Sequence, residues 1–146
     1  MTLGLVGLGH VGREVARRAA ALGFTVIGYD PFAGAVPGVS VVSFEELLGR
    51  SDVVSVHARQ TLSNQRMFSS DAFALMRPGS FFINTAREGL VDEAALYLAL
   101  SSGRLGGATA ETLARGARRV VAAVGDLLAG RMPADVINPQ VLRAAL

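Results

Sequence analysis

Short apolar runs rich in β-branched residues alternate with segments of helical period through residues 3–103, the pattern of repeated βα units around a parallel sheet. Strand character falls on residues 3–6, 25–29, 39–42, 53–57 and 80–84. Between the first two runs, Val11, Val15, Ala19 and Leu22 recur at helical spacing while Arg13, Glu14, Arg17 and Arg18 take the other face. That spacing predicts a helix packed on the sheet through the Val11 stripe and closed by Gly23. Ser43 caps a short helix through Glu45, Glu46, Leu47 and Leu48, its acids near the positive end of the dipole. Ser69 or Ser70 opens another through Phe73, Leu75 and Met76, stopped by Pro78 and Gly79. Asp92 caps a helix over 93–100 that ends at Ser101, Ser102 and Gly103, and the stretch from Pro31 to the following Pro37-Gly38 is loop.

The last third changes character. Leu113, Ala117, Val120, Val124 and Leu127 alternate four and three apart, with Val121 and Leu128 widening the stripe, which predicts one long amphipathic helix within 108–130. Gly130 ends it, and Pro133 and Pro139 bracket an irregular tail over 131–146. The expected architecture is a single α/β domain: a doubly wound parallel sheet of about five or six strands with helices on both faces, a βα core over 1–107, then the long helix.

Composition narrows the function classes. With 146 residues of which 51% are hydrophobic, the chain buries one sizeable core. It has no apolar run of bilayer length and no leader-like start, so a soluble cytoplasmic chain without a membrane partner is expected. The absence of cysteine removes a disulfide framework, a thiolate nucleophile and a cysteine metal site, and two histidines, His10 and His57, do not suggest zinc. All 14 basic residues are arginine, which excludes the phosphate lysine of a P-loop. Apart from Arg115, Arg118 and Arg119 they are scattered among acids rather than aromatics, so no nucleic-acid partner is expected.

Gly7, Gly9 and Gly12 form a G-x-G-x-x-G between the first strand and the first helix. The first glycine permits the tight turn, the second lets backbone approach a pyrophosphate, and the third lets helix and strand pack closely. The helix start then offers free N–H groups and a positive dipole end to the phosphates. Asp30 ends the second strand at the spacing of a carboxylate that accepts from the adenosine ribose hydroxyls, where a 2′-phosphate would meet like charge. This is the Rossmann fingerprint of an NAD site, with Gly7, Gly9, His10, Val11, Gly12, Asp30 and Pro31 expected along the cofactor. His10 matters there for its backbone N–H rather than its ring.

Five segments carry a more specific likeness: Gly4-Leu-Val-Gly-Leu-Gly-His-Val-Gly12, Tyr29-Asp30-Pro31, Ser51-Asp-Val-Val-Ser-Val-His57, Met76-Arg-Pro-Gly79 and Ile83-Asn-Thr-Ala-Arg-Glu-Gly-Leu-Val-Asp-Glu93. Together they closely resemble the nucleotide domain of D-isomer-specific 2-hydroxyacid dehydrogenases. The resemblance implies that Arg87 holds the carboxylate and carbonyl of a small 2-hydroxy or 2-keto acid beside the nicotinamide. A planar guanidinium suits that task through two parallel hydrogen bonds. The likeness further implies Thr85 and Ala86 along the nicotinamide half, and His57, Ala58 and Thr61 on the adenosine-to-ribose side. His57 does not match the family's catalytic histidine, so it reads as structural or cofactor-lining.

Departures from the family shape the functional expectation. Members carry a substrate domain mostly ahead of the nucleotide domain, whereas this chain opens at the first nucleotide strand. The segment Ser101-Ser-Gly-Arg-Leu-Gly-Gly107 runs directly into Ala108-Thr-Ala-Glu-Thr112, without the catalytic glutamate and histidine that follow it in the family. Glu111 matches the opening of the last helix instead. Arg59 and Leu62 stand at usual proline positions, and Glu88 where glycine is common. Hydride transfer needs a base for the hydroxyl proton. The expectation is therefore an NAD(H)-binding domain of a 2-hydroxyacid dehydrogenase-like oxidoreductase with activity weak or lost. The alternative is a non-catalytic nucleotide-binding or sensing module acting through oligomerisation, and a homodimer with the final helix contributing is expected. A methyltransferase would leave the Asn-Thr-Ala-Arg segment unexplained.

Overall fold

The computed structural model describes residues 1–110, so the helix expected within 108–130 and the tail after it lie outside the described residues from position 111 onward. The elements are β1 (Thr2–Val6), α1 (His10–Ala21), β2 (Thr25–Tyr29), β3 (Ser40–Val41), α2 (Phe44–Arg50), β4 (Val53–Val56), α3 (Ser70–Leu75), β5 (Ser80–Asn84), α4 (Glu93–Ser101) and β6 (Leu105–Ala110). All six strands are parallel, in the order β3-β2-β1-β4-β5-β6. The chain thus moves outward from β1 to β3 and returns to β4 on the other side of β1. The strand order reverses there, opening a crevice at the carboxyl ends of β1 and β4.

Period-two alternation along the strands divides the core between the two faces of the sheet. Leu3, Leu5 and Val26 meet Ala16 and Ala19 of α1 on one face. Val6, Ile27, Val54, Val56 and Phe82 meet Leu47, Leu48, Phe73, Leu96 and Leu100 of α2 to α4, and Met76 just past α3, on the other. Phe82 is fully buried between Phe68 and Phe73, with ring centroids 4.8 and 5.3 Å away. These tilted and edge contacts suit the aromatic quadrupole. Helices α2, α3 and α4 are capped by the residues the sequence marks: Ser43 accepts from the Glu46 N–H at 3.1 Å, Ser69 from Ala72 at 3.4 Å and Asp92 from Ala95 at 3.1 Å.

Three expectations are corrected. The sheet-facing stripe of α1 is Gly12, Ala16 and Ala19, with Val15 beside it, while Val11 is 60% and Leu22 78% exposed. Close approach is the reason: a Cβ on Gly12 would lie 2.0 Å from the Gly7 carbonyl oxygen, so the small residues, not the bulkier valine, must face the sheet. The third strand contracts from the expected 39–42 to Ser40–Val41, a two-residue edge strand. The sheet gains β6, which pairs with β5 and runs to Ala110, a strand beyond the five that the apolar runs mark. Gly106 allows that pairing, since a Cβ there would lie 2.5 Å from the Gly79 carbonyl oxygen. Among the described residues no helix is long and apolar enough to cross a membrane.

Candidate functional site: a groove across the strand-order reversal

The turn from β1 into α1 is built on Gly7, whose φ of +98° suits glycine. Its N–H donates to the Tyr29 carbonyl at 2.8 Å, and a Cβ on it would press to 2.5 Å from the Ala58 nitrogen. The turn is therefore closely seated between the ends of β2 and β4. Gly9 differs: a Cβ there would meet nothing within 4 Å, yet the residue borders a cavity. It forms an open cradle that a side chain would fill. Gly9 is also the N-cap of α1, with no side-chain cap and no acid in the first turn, so the helix start keeps its N–H groups and positive end for an anion.

Asp30 does two things at once. Its Oδ2 accepts from the Leu8 N–H at 2.8 Å and its Oδ1 from the Phe32 N–H at 2.9 Å, tying the glycine turn to the loop after β2. The same residue borders the cavity, and an ionised carboxylate has lone pairs beyond the two in use. It is thus fixed at the cavity with acceptor capacity to spare.

Two cavities extend over the carboxyl ends of the strands. One, about 450 Å³, is bordered by Gly7, Gly9, Tyr29, Asp30, Pro31, Phe32, Asn64 and Met67, among others. The other, about 740 Å³, is bordered by Val11, Gln60, Leu62, Gln65, Thr85, Ala86 and Arg87. His57, Ala58, Arg59 and Thr61 border both. Of the residues singled out in the sequence, Gly7, Gly9, Asp30, Pro31, His57, Ala58 and Thr61 gather on the first cavity, and Val11, Thr85, Ala86 and Arg87 on the second. His10 and Gly12 border neither: His10 is the exposed first residue of α1, and Gly12 acts through packing.

The ring of His57 bridges β4 and β5. Nε2 is 3.0 Å from Ser55 Oγ and Nδ1 3.5 Å from Thr85 Oγ1. Partial burial pushes its pKa below the ordinary histidine value, so the neutral ring is favoured. Among the described residues no carboxylate contacts either ring nitrogen. Sequence reasoning missed Asn84, which is 3% exposed at the end of β5. Its Nδ2 donates to the Arg87 carbonyl at 2.9 Å and its Oδ1 accepts from the Ala86 N–H at 3.1 Å. The signal was present in the Asn-Thr-Ala-Arg run, because an asparagine at a strand end bonds readily to backbone two or three residues on. Arg87 itself is exposed and donates to the Ala86 carbonyl at 2.8 Å. Phe32, 95% exposed at the rim, and Arg59 also went unmarked as site residues.

Comparison with known proteins agrees with this geometry. The family pattern of the D-isomer specific 2-hydroxyacid dehydrogenase, NAD binding domain, matches residues 1–116. Over 106 residues the chain is 44% identical to D-3-phosphoglycerate dehydrogenase 2, chloroplastic, of Arabidopsis thaliana, covering 70% of this chain and 17% of that protein. Over 114 residues it is 40% identical to glycerate dehydrogenase of Methylorubrum extorquens, covering 78% and 35%. The NAD complexed form of a D-isomer specific 2-hydroxyacid dehydrogenase from Lactobacillus delbrueckii ssp. bulgaricus superposes with a TM-score of 0.75 at 36% identity, over 79% of this chain and 36% of that one. NAD-dependent formate dehydrogenase from Staphylococcus aureus in complex with NAD gives 0.74 at 32% identity, over 82% and 38%. The chain therefore spans well under half the length of these relatives. Its open Gly9 cradle, its uncapped helix start and its anchored Asp30 fit NAD, the cofactor of this domain. The chain belongs to the D-isomer specific 2-hydroxyacid dehydrogenase family, and what it carries is that family's NAD binding domain.

Proposed function

We propose that this chain, in the cytoplasm, binds NAD across both cavities and serves the hydride chemistry of a small 2-hydroxy or 2-keto acid, which it performs weakly or not at all by itself. In this reading the adenosine half lies by Asp30 and Pro31, and the nicotinamide half by Thr85 and Ala86. The observation that carries it is the run of two cavities over the strand-order reversal, with the glycine turn at one end and Arg87 at the other. NAD, when bound, supplies the hydride acceptor. Arg87 receives the acid's carboxylate through its planar fork, and Asn84 sets the backbone from which it projects. His57, Ser55 and Thr85 brace the wall between the cavities. Removing a hydroxyl proton requires a base of matched pKa, and His57, with no carboxylate partner among the described residues, is a poor one.

Titration of NADH and NADPH by fluorescence, followed by addition of glyoxylate, pyruvate or hydroxypyruvate with absorbance of NADH as the readout, tests this. The expected result is NADH binding at least about tenfold tighter than NADPH, with slow oxidation at most, abolished in Arg87→Ala. Tighter NADPH binding, or fast turnover that survives Arg87→Ala, would overturn it. A second reading, a nucleotide-binding module that works by self-assembly, is favoured by the Leu113, Ala117, Val120, Val124 and Leu127 stripe. Light scattering at high concentration is expected to give twice the chain mass, and a monomer would remove this reading.

A further inference from the structure

The four residues shared by the two cavities mark where the halves of the groove meet, and one of them, Arg59, is charged. Across the same junction α1 begins, with Gly9 on one cavity and Val11 on the other. In a dinucleotide laid across the groove, the group linking its two halves is the pyrophosphate, which carries two negative charges.

The loop holding Arg59 has a fixed backbone and a free head. Asn64 Nδ2 donates to the Arg59 carbonyl at 2.8 Å, and Asn64 Oδ1 accepts from the Thr61 N–H at 2.7 Å. Thr61 Oγ1 and Ser63 Oγ, 3.0 Å apart, tighten the same turn. The guanidinium has no hydrogen bond or ion pair among the described residues. Most of the other described arginines are engaged: Arg13, Arg87 and Arg104 with backbone carbonyls, and Arg17, Arg18, Arg50 and Arg77 with acids. Arg66, which also lacks such a partner, borders a different cavity with Glu88 and Asp92. The chain has no lysine to take a phosphate.

Resting on the NAD groove described above, we propose that Arg59 is a phosphate-holding residue, its guanidinium donating to the cofactor pyrophosphate from the wall opposite the N-terminus of α1. Backbone N–H groups then meet the pyrophosphate on one side and a planar cationic fork on the other. Charge-assisted pairs of this kind are the stronger hydrogen bonds, and the fork matches phosphate oxygens two at a time.

The test compares the full chain with Arg59→Gln and Arg59→Lys, using NADH by fluorescence and ADP-ribose and adenosine by competition. Arg59 is exposed and its side chain makes no bond among the described residues, so the melting temperature of both variants is expected to match the parent. Arg59→Gln is expected to weaken NADH and ADP-ribose by about tenfold while changing adenosine by less than about twofold. It should also flatten the salt dependence of NADH binding, and Arg59→Lys should recover part of the loss. An equal loss for adenosine would mean that the guanidinium stacks on the base, and no selective loss would mean that it faces solvent; either overturns the proposal. Failure of the parent chain to bind NADH would remove the groove reading itself and Arg59 with it, a result distinct from normal parental binding without selective loss.

Discussion

Three positions near the first turn separate what builds the groove from what, in the proposed reading, receives the ligand. A Cβ at Gly12 would strike the Gly7 carbonyl oxygen, whereas one at Gly9 would enter open space. Gly12→Ala is therefore expected to destabilise the fold by about 2–3 kcal/mol in urea denaturation, because backbone must shift to admit the methyl group. Gly9→Ala should leave the urea midpoint unchanged and weaken NADH by roughly tenfold or more, since the methyl group takes space the pyrophosphate needs. Asp30 is a builder and, in the proposed reading, a receiver as well. Removing its carboxylate leaves the N–H of the buried Leu8 without its acceptor, so Asp30→Ala should cost about 1–2 kcal/mol even without cofactor. Asp30→Asn keeps one acceptor oxygen and should cost less. Equal stability of all three Asp30 forms without cofactor would show that the residue serves the ligand alone.

At the scale of elements, the caps and periods were legible because they are local. Ser43, Ser69 and Asp92 each satisfy a free N–H of the helix they open. Asp92→Ala is expected to lose about 1 kcal/mol, read as a lower urea midpoint at unchanged slope. α1 was legible as a helix but not in its orientation. Its valines and leucine gave the more hydrophobic stripe, yet the sheet approaches so closely at Gly7 that Gly12, Ala16 and Ala19 are selected by size. β6 escaped notice because Gly106 and Gly107 break the apolar pattern that marks a strand. The very lack of side chains that hid it is what lets it pass the Gly79 turn and the ring of Phe81.

For the whole molecule, His57 and Asp52 are two of the described groups whose shifted titrations shape the response to acid. Burial holds folded His57 below its ordinary pKa, so beneath that value the unfolded chain takes up a proton that the folded chain refuses. The stability this contributes is fully present above about pH 6.5 and is lost as pH falls from there toward the folded pKa. Asp52 acts lower. The Thr2 N–H first, and Arg77 after it, hold its carboxyl below the usual carboxylate range, and its contribution is lost as pH falls through that depressed pKa. Urea midpoints should therefore fall between pH 7 and about 5, and His57→Gln should flatten that part of the profile. An unchanged slope in His57→Gln would remove His57 as its source.

Local rules were sufficient to read alternating βα units, the caps, the Gly7 turn and the acid ending β2 from the chain alone, because each depends on residues a few positions apart. Position in space obeyed other constraints. Ser55, His57 and Thr85 meet because β4 and β5 are neighbours, and Asp30 reaches Leu8 because β2 lies beside β1. Arg59 borders both halves of the groove because strand order reverses next to β4. The sequence determined which residues were available for an NAD site. Strand order and the close contact of α1 with the sheet, which no local pattern encodes, decided which of them border the groove.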